Sequence, residues 1–133
     1  MLSHEEKITI RFADADPAGV VFYPRLIERA HDAVENMIRH SAIGHAAWFG
    51  SNEIAVPLRH AEAGFFRPMR PGESYTARAA VEKIGETSVA FAVEFTGADG
   101  ATAAQVRTVH VAVDRATGRP VALPQAWRRA LGD

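Results

Sequence analysis

The hydrophobic positions of the chain follow two different periods. Ile8, Ile10 and Phe12 alternate with polar or small residues, the two-residue period of a half-buried strand. From Tyr23 to about His40 the period becomes helical. Leu26, Ile27, Ala30, Ala33, Val34, Met37 and Ile38 collect on one face, while Arg25, Glu28, Arg29, Asp32, Glu35 and Arg39 project elsewhere. Pro24 falls in the first turn, where its missing N–H costs nothing and its fixed φ suits a helix start. SAIGHAAWFGSNE then reads as a connection holding at most a short helical turn. Extended stretches follow. IAVPLRHAEAGFFRPM carries Pro57 and Pro68, which mark edges or bends. SYTARAAVEKI and TSVAFAVEFT flank a tight Gly85-Glu86 break, and Val89, Phe91, Val93 and Phe95 alternate along the second. GADG closes that strand in a hairpin-like turn before the last long strand, ATAAQVRTVHVAVD. A turn around RATGRP and a short polar helix, PQAWRRAL, complete the pattern.

Strand, long helix, then four successive extended stretches joined by short turns predict an α+β fold, a mostly antiparallel sheet with one helix against it. No linker, internal repeat or low-complexity segment interrupts the pattern. Residues 1–133 are therefore expected to form a single domain, large enough to bury a core without staples.

Charge and composition narrow the function. Fifteen basic and 16 acidic residues give a formal charge of -1, which leaves no electrostatic footprint for nucleic acid or an anionic membrane. The chain has no cysteine, which excludes disulfides, thiolate metal sites and a cysteine nucleophile. No apolar run approaches a membrane span, and MLSHEEK is acidic where a signal peptide would be positive and then apolar. A soluble, cytoplasmic protein is expected.

Familiar catalytic motifs are missing. There is no G-x-S-x-G, no G-x-x-x-x-G-K-[ST] and no G-x-G-x-x-G. Asp14, Asp16 and Gly19 match positions 1, 3 and 6 of a calcium loop, but Ala18 and Arg25 stand where further ligands belong. The six histidines form no H-E-x-x-H pair, so neither a metal nor another cofactor is expected. What remains is a carboxylate pair, DADPAG, just before the long helix. Aspartate, proline and glycine are favoured in turns on local grounds, and from the residues alone turn formation is a sufficient account. The alternative is chemical: free N–H groups at the helix start near Tyr23 suit an oxygen gaining negative charge, beside an aspartate that attacks a carbonyl or deprotonates water.

The run D-x-D-P-A-G-V-V-F-Y-P, Asp14 to Pro24, resembles the signature of the 4-hydroxybenzoyl-CoA thioesterase family of hotdog-fold enzymes. The order of elements agrees over nearly the whole chain. The resemblance implies a five- or six-stranded antiparallel sheet wrapped around one long helix. It also implies pairing of two protomers through their sheet edges, active sites at the interface, and a homodimer or homotetramer. It gives Asp16 the catalytic acid position and Tyr23 the backbone N–H that polarises the thioester oxygen. Gly19 becomes the glycine that lets the loop pass close to substrate, and Asp14 a turn-shaping residue. Family members often have asparagine where this chain has Arg25. His31, eight residues beyond Tyr23, lies near a position from which relatives acting on hydroxylated aromatic groups present a carboxylate, and is expected to contact the acyl group. His60, with Glu62, is expected to approach a partner's site.

Arg59, Arg67, Arg70 and Lys83 are candidates for the coenzyme A phosphates. Trp48 and Phe49 are candidates to close an apolar acyl pocket. The implied activity is hydrolysis of an acyl-CoA thioester, aromatic such as 4-hydroxybenzoyl-CoA or short-chain, to free acid and coenzyme A. A hotdog hydratase or dehydratase and a non-catalytic acyl-binding module are the alternatives. The hydratase is disfavoured because no histidine occupies DADPAG.

Overall fold

A computed structural model describes all residues, 1–133. In chain order the elements are β1 (Ser3–Thr9), α1 (Tyr23–Arg39), α2 (His45–Gly50), β2 (Ile54–Ala55), β3 (Leu58–Phe65), β4 (Ser74–Ile84), β5 (Ser88–Thr96), β6 (Thr102–Val111), β7 (Val113–Asp114) and α3 (Gln125–Leu131). Five strands form one antiparallel sheet in the order β1-β4-β5-β6-β3, and β2 pairs with β7 apart from it. This is the expected α+β architecture, with five strands in the main sheet.

The alternation in TSVAFAVEFT becomes β5, whose Val89, Phe91, Val93 and Phe95 all point into the core. Against them lies the apolar stripe of α1, with Leu26, Ala30, Ala33, Val34, Met37 and Ile38 buried. The helix approaches β4 and β1 more closely than β5. The reason is side-chain size: β4 presents Ala77 and Ala79, and α1 carries the wholly buried Ala33, so the backbones can draw together. On the other flank Ile27, Val34, Phe91 and Val93 border a gap between helix and sheet.

The structure corrects the sequence expectations in three places. The first strand begins earlier, at Ser3, and ends at Thr9, because the polar run SHEEK pairs with β4 as an edge whose outer face needs no apolar residues. Phe12 is therefore not part of it; it lies in a 3-10 turn, Phe12–Asp14, and is 92% exposed. The stretch from Ile54 to Met69 is not one strand, since Pro57 parts β2 from β3. The stretch from Ala101 to Asp114 likewise divides, at Ala112, into β6 and β7.

Truncating a wholly buried ring and a wholly exposed one separates these placements. Phe95→Ala should lower unfolding free energy by about 3–5 kcal/mol in a urea titration, while Phe12→Ala should stay within about 0.5 kcal/mol of the parent.

Candidate active site

The loop before α1 is organised by its first aspartate. Asp14 is 1% exposed, and its carboxylate accepts the Arg11 N–H at 2.8 Å, Arg29 at 2.8 Å and Arg25 at 3.2 Å. Its main-chain carbonyl accepts the Phe22 N–H at 2.7 Å. Burial alone pushes this carboxyl up, but the Arg11 N–H and the charges of Arg29 and Arg25 outweigh it and hold the group below its ordinary 3.8. Arg25 and Arg29, read from the sequence as projecting away from the packed face, are the counter-charges of this clamp. The Arg25 departure from the family pattern thus has a local role.

The clamp shapes the helix start. The Phe22 N–H is taken by Asp14, Pro24 has none, and the Arg25 and Leu26 N–H groups fold back onto the Phe22 carbonyl. The Tyr23 N–H is left without an acceptor in the chain and carries the positive end of a 17-residue helix.

The second aspartate behaves differently. Asp16 is half-buried; its Oδ1 accepts the Ala18 N–H at 2.9 Å, and its main chain closes the turn through Val20 and Gly19. No donor in the chain reaches its other oxygen. Gly19 has φ +78°, and a Cβ there would meet open space, so the glycine is required by backbone conformation rather than crowding. Asp16 and Tyr23 line the same open cleft of about 400 Å³, whose far wall is Phe65, Phe66, Arg67, Pro68 and Met69. A free carboxylate oxygen and the helix tip that carries a free N–H therefore share one cleft.

A second, more apolar cavity of about 330 Å³ opens between α1 and the β5–β6–β3 side of the sheet. It begins at Ile27, one turn beyond Tyr23, and is roofed by Trp48 and Phe49 of α2. His31 lines it and is half-exposed, 3.7 Å from Glu35. His31 and Asp16 thus border different cavities within one chain. His60 lies on the exposed edge strand β3 and borders neither. Glu62 stands 3.7 Å from Arg107, and Arg67 is paired with Asp99 at 2.7 Å beside Arg70 in a polar groove that adjoins the Asp16 cleft. Arg59 and Lys83 are exposed on β3 and β4.

Two polar lining residues, Thr108 and His110, were not singled out from the sequence. Counting by twos along β6 from Ala104 and Val106 gives both to the inner face.

A family model for the thioesterase-like superfamily matches residues 10–131. The 1,4-dihydroxy-2-naphthoyl-CoA hydrolase of Rippkaea orientalis is 29% identical over 125 residues, covering 92% of this chain and 91% of that one. The enzyme of the same description from Nostoc punctiforme is 32% identical over 116 residues, covering 87% and 78%. A crystal structure of a 1,4-dihydroxy-2-naphthoyl-CoA thioesterase from Synechocystis superposes with a TM-score of 0.86 at 24% identity, over 98% of this chain and 96% of that one, a likeness of fold. Fold and relatives together define a hotdog acyl-CoA thioesterase, a thioester hydrolase. The chain belongs to the thioesterase-like superfamily.

The clamp makes a testable claim about stability. Asp14→Ala leaves two arginines facing a vacated, water-poor site and should cost about 2–3 kcal/mol, the partial exposure of Arg25 lowering the usual buried-pair figure. Because the folded-state carboxyl titrates below 3.8, its contribution is complete above that pH and is lost as pH falls through the lower folded value. Acid-unfolding curves of parent and variant should converge in that range.

Proposed function

We propose that this thioesterase hydrolyses hydroxylated aromatic acyl-CoA, with 1,4-dihydroxy-2-naphthoyl-CoA favoured over 4-hydroxybenzoyl-CoA and short-chain substrates. The description shared by its relatives supports the acyl group. The observation that carries the chemistry is the pairing, at one cleft, of the free Asp16 oxygen with the helix tip bearing the unpartnered Tyr23 N–H.

The thioester carbonyl oxygen accepts the Tyr23 N–H, and the positive end of α1 stabilises the charge that oxygen gains as the carbonyl carbon becomes tetrahedral. Asp16 promotes attack on that carbon by one of two routes. As nucleophile, its free oxygen bonds to the carbon, the C–S bond breaks to release coenzyme A thiolate, and water cleaves the resulting anhydride. As general base, it takes a proton from a water whose oxygen bonds to the carbon, and the C–S bond then breaks to release coenzyme A thiolate and the free acid. The clamp on Asp14 keeps Arg25 and Arg29 occupied, so Asp16 keeps an oxygen that neither arginine neutralises.

The acyl group lies along α1, where His31 meets it at the cavity beyond Ile27. Gly19 holds the loop turn beside the cleft. We place a second copy of the chain on β3. Nearly all of that strand is exposed, with Leu58 uncovered at the apolar cavity and Phe65 and Phe66 uncovered at the Asp16 cleft, and pairing there would bring His60 to a neighbour's site.

Hydrolysis is read from released thiol. Asp16→Asn should lower kcat by at least about 100-fold with KM little changed. A wild-type enzyme inert toward 1,4-dihydroxy-2-naphthoyl-CoA, or an Asp16→Asn variant of full activity, would sink the reading. Sedimentation should show a dimer or a larger assembly, and a monomer at micromolar concentration would remove β3 as the interface.

A further inference from the structure

The cavity between α1 and the sheet is walled almost entirely by hydrocarbon and aromatic groups, yet His110 of β6 stands in it. This histidine is 9% exposed, and its Nδ1 lies 3.2 Å from the Val56 carbonyl. A carbonyl oxygen only accepts, so Nδ1 carries the ring proton and Nε2 presents a lone pair. Nε2 bonds to nothing in the chain, and it is not sealed off, since no buried polar atom lacks a partner. Burial pushes the imidazole below its ordinary 6.5; the Val56 carbonyl opposes this and the charge of His31 across the cavity adds to it, leaving a neutral ring at pH 7. The ring is fixed by its edge-on packing with Phe91, at 5.5 Å between centroids.

Resting on the aromatic acyl-CoA reading above, we propose that His110 selects substrate. Its Nε2 accepts a hydrogen bond from the ring hydroxyl that is not adjacent to the thioester, the C4 hydroxyl of a 1,4-dihydroxy-2-naphthoyl group, while the apolar walls hold the ring. The geometry along α1 agrees. The Tyr23 N–H fixes the carbonyl end and Ile27, at the near end of the cavity, follows at about 6 Å of helix rise, so a naphthoyl ring laid along α1 from that end enters the cavity that His110 lines. At about 330 Å³ the cavity is at the lower end of small-molecule sites, roughly 300–1,000 Å³, and suits one flat bicyclic group. An acceptor in a cavity whose other polar residues are only Thr108 and His31 discriminates strongly, because a substrate lacking the hydroxyl leaves the Nε2 lone pair unbonded.

The test compares two substrates that differ by that one group, 1,4-dihydroxy-2-naphthoyl-CoA and 1-hydroxy-2-naphthoyl-CoA. Wild type should prefer the first in kcat/KM by about 10- to 100-fold. His110→Phe should bring the ratio close to one, chiefly by slowing the dihydroxy substrate, and His110→Gln, which can present an amide oxygen, should restore part of it. Should His110→Phe fail to fold, ¹⁵N-histidine spectra of wild type report directly: the unprotonated Nε2 resonance should move upfield with the free dihydroxy acid and stay with the monohydroxy acid. A preference unchanged in His110→Phe, equal turnover of both substrates by wild type, or an unmoved Nε2 resonance overturns the role of His110 and leaves the thioesterase reading standing. Failure to cleave either substrate overturns the aromatic reading itself.

Discussion

One buried carboxylate orders the functional end of this molecule. Asp14 joins the 3-10 turn, the loop and the first two turns of α1 through the Arg11 N–H, Arg25, Arg29 and the Phe22 N–H. Ion pairs of this burial are weak contributors to net stability but costly to break on one side only. The clamp therefore acts mainly as a positional constraint. By consuming the Phe22 N–H it leaves a single free donor at the helix tip. It also fixes the hinge from which the Asp16 turn hangs.

The division of labour between two aspartates two residues apart follows from this. Asp14 is surrounded by fixed cations and donors, and has no lone pair to spare for a substrate. Asp16 bonds only within its own turn and shares the cleft with Tyr23. Both belong to one six-residue string, and composition cannot tell them apart. Their environments differ because the loop turns between them, at the bridge that joins Ala15 to Val21.

Much of the fold was legible in the chain itself. The helix boundaries and the β5 alternation come from periodicity that tertiary packing only reinforced. The N-terminal strand was harder to read because edge pairing rewards backbone groups, and its outer face tolerates Ser3, Glu5 and Lys7. The apparent alternation to Phe12 failed for a related reason: the clamp at Asp14 bends the chain into a 3-10 turn before a third apolar residue can reach the core. At the site, the acidic string and helix start were visible, as was the family they resemble. The cavity was not, since it is a gap between elements, and no local pattern records the distance between a helix and a sheet. His31 and His110 therefore could not be seen as neighbours of one space.

That distance has an evolutionary corollary. The alanines at 77 and 79 let α1 pack close to β4, and that closeness bears on how much room remains on the opposite flank. A heavier residue at either position would act as a wedge under one end of a lever, narrowing or skewing a space it never touches. Substrate range in such a scaffold can thus drift through substitutions far from any bound molecule, and sequence comparisons confined to lining residues would miss the cause.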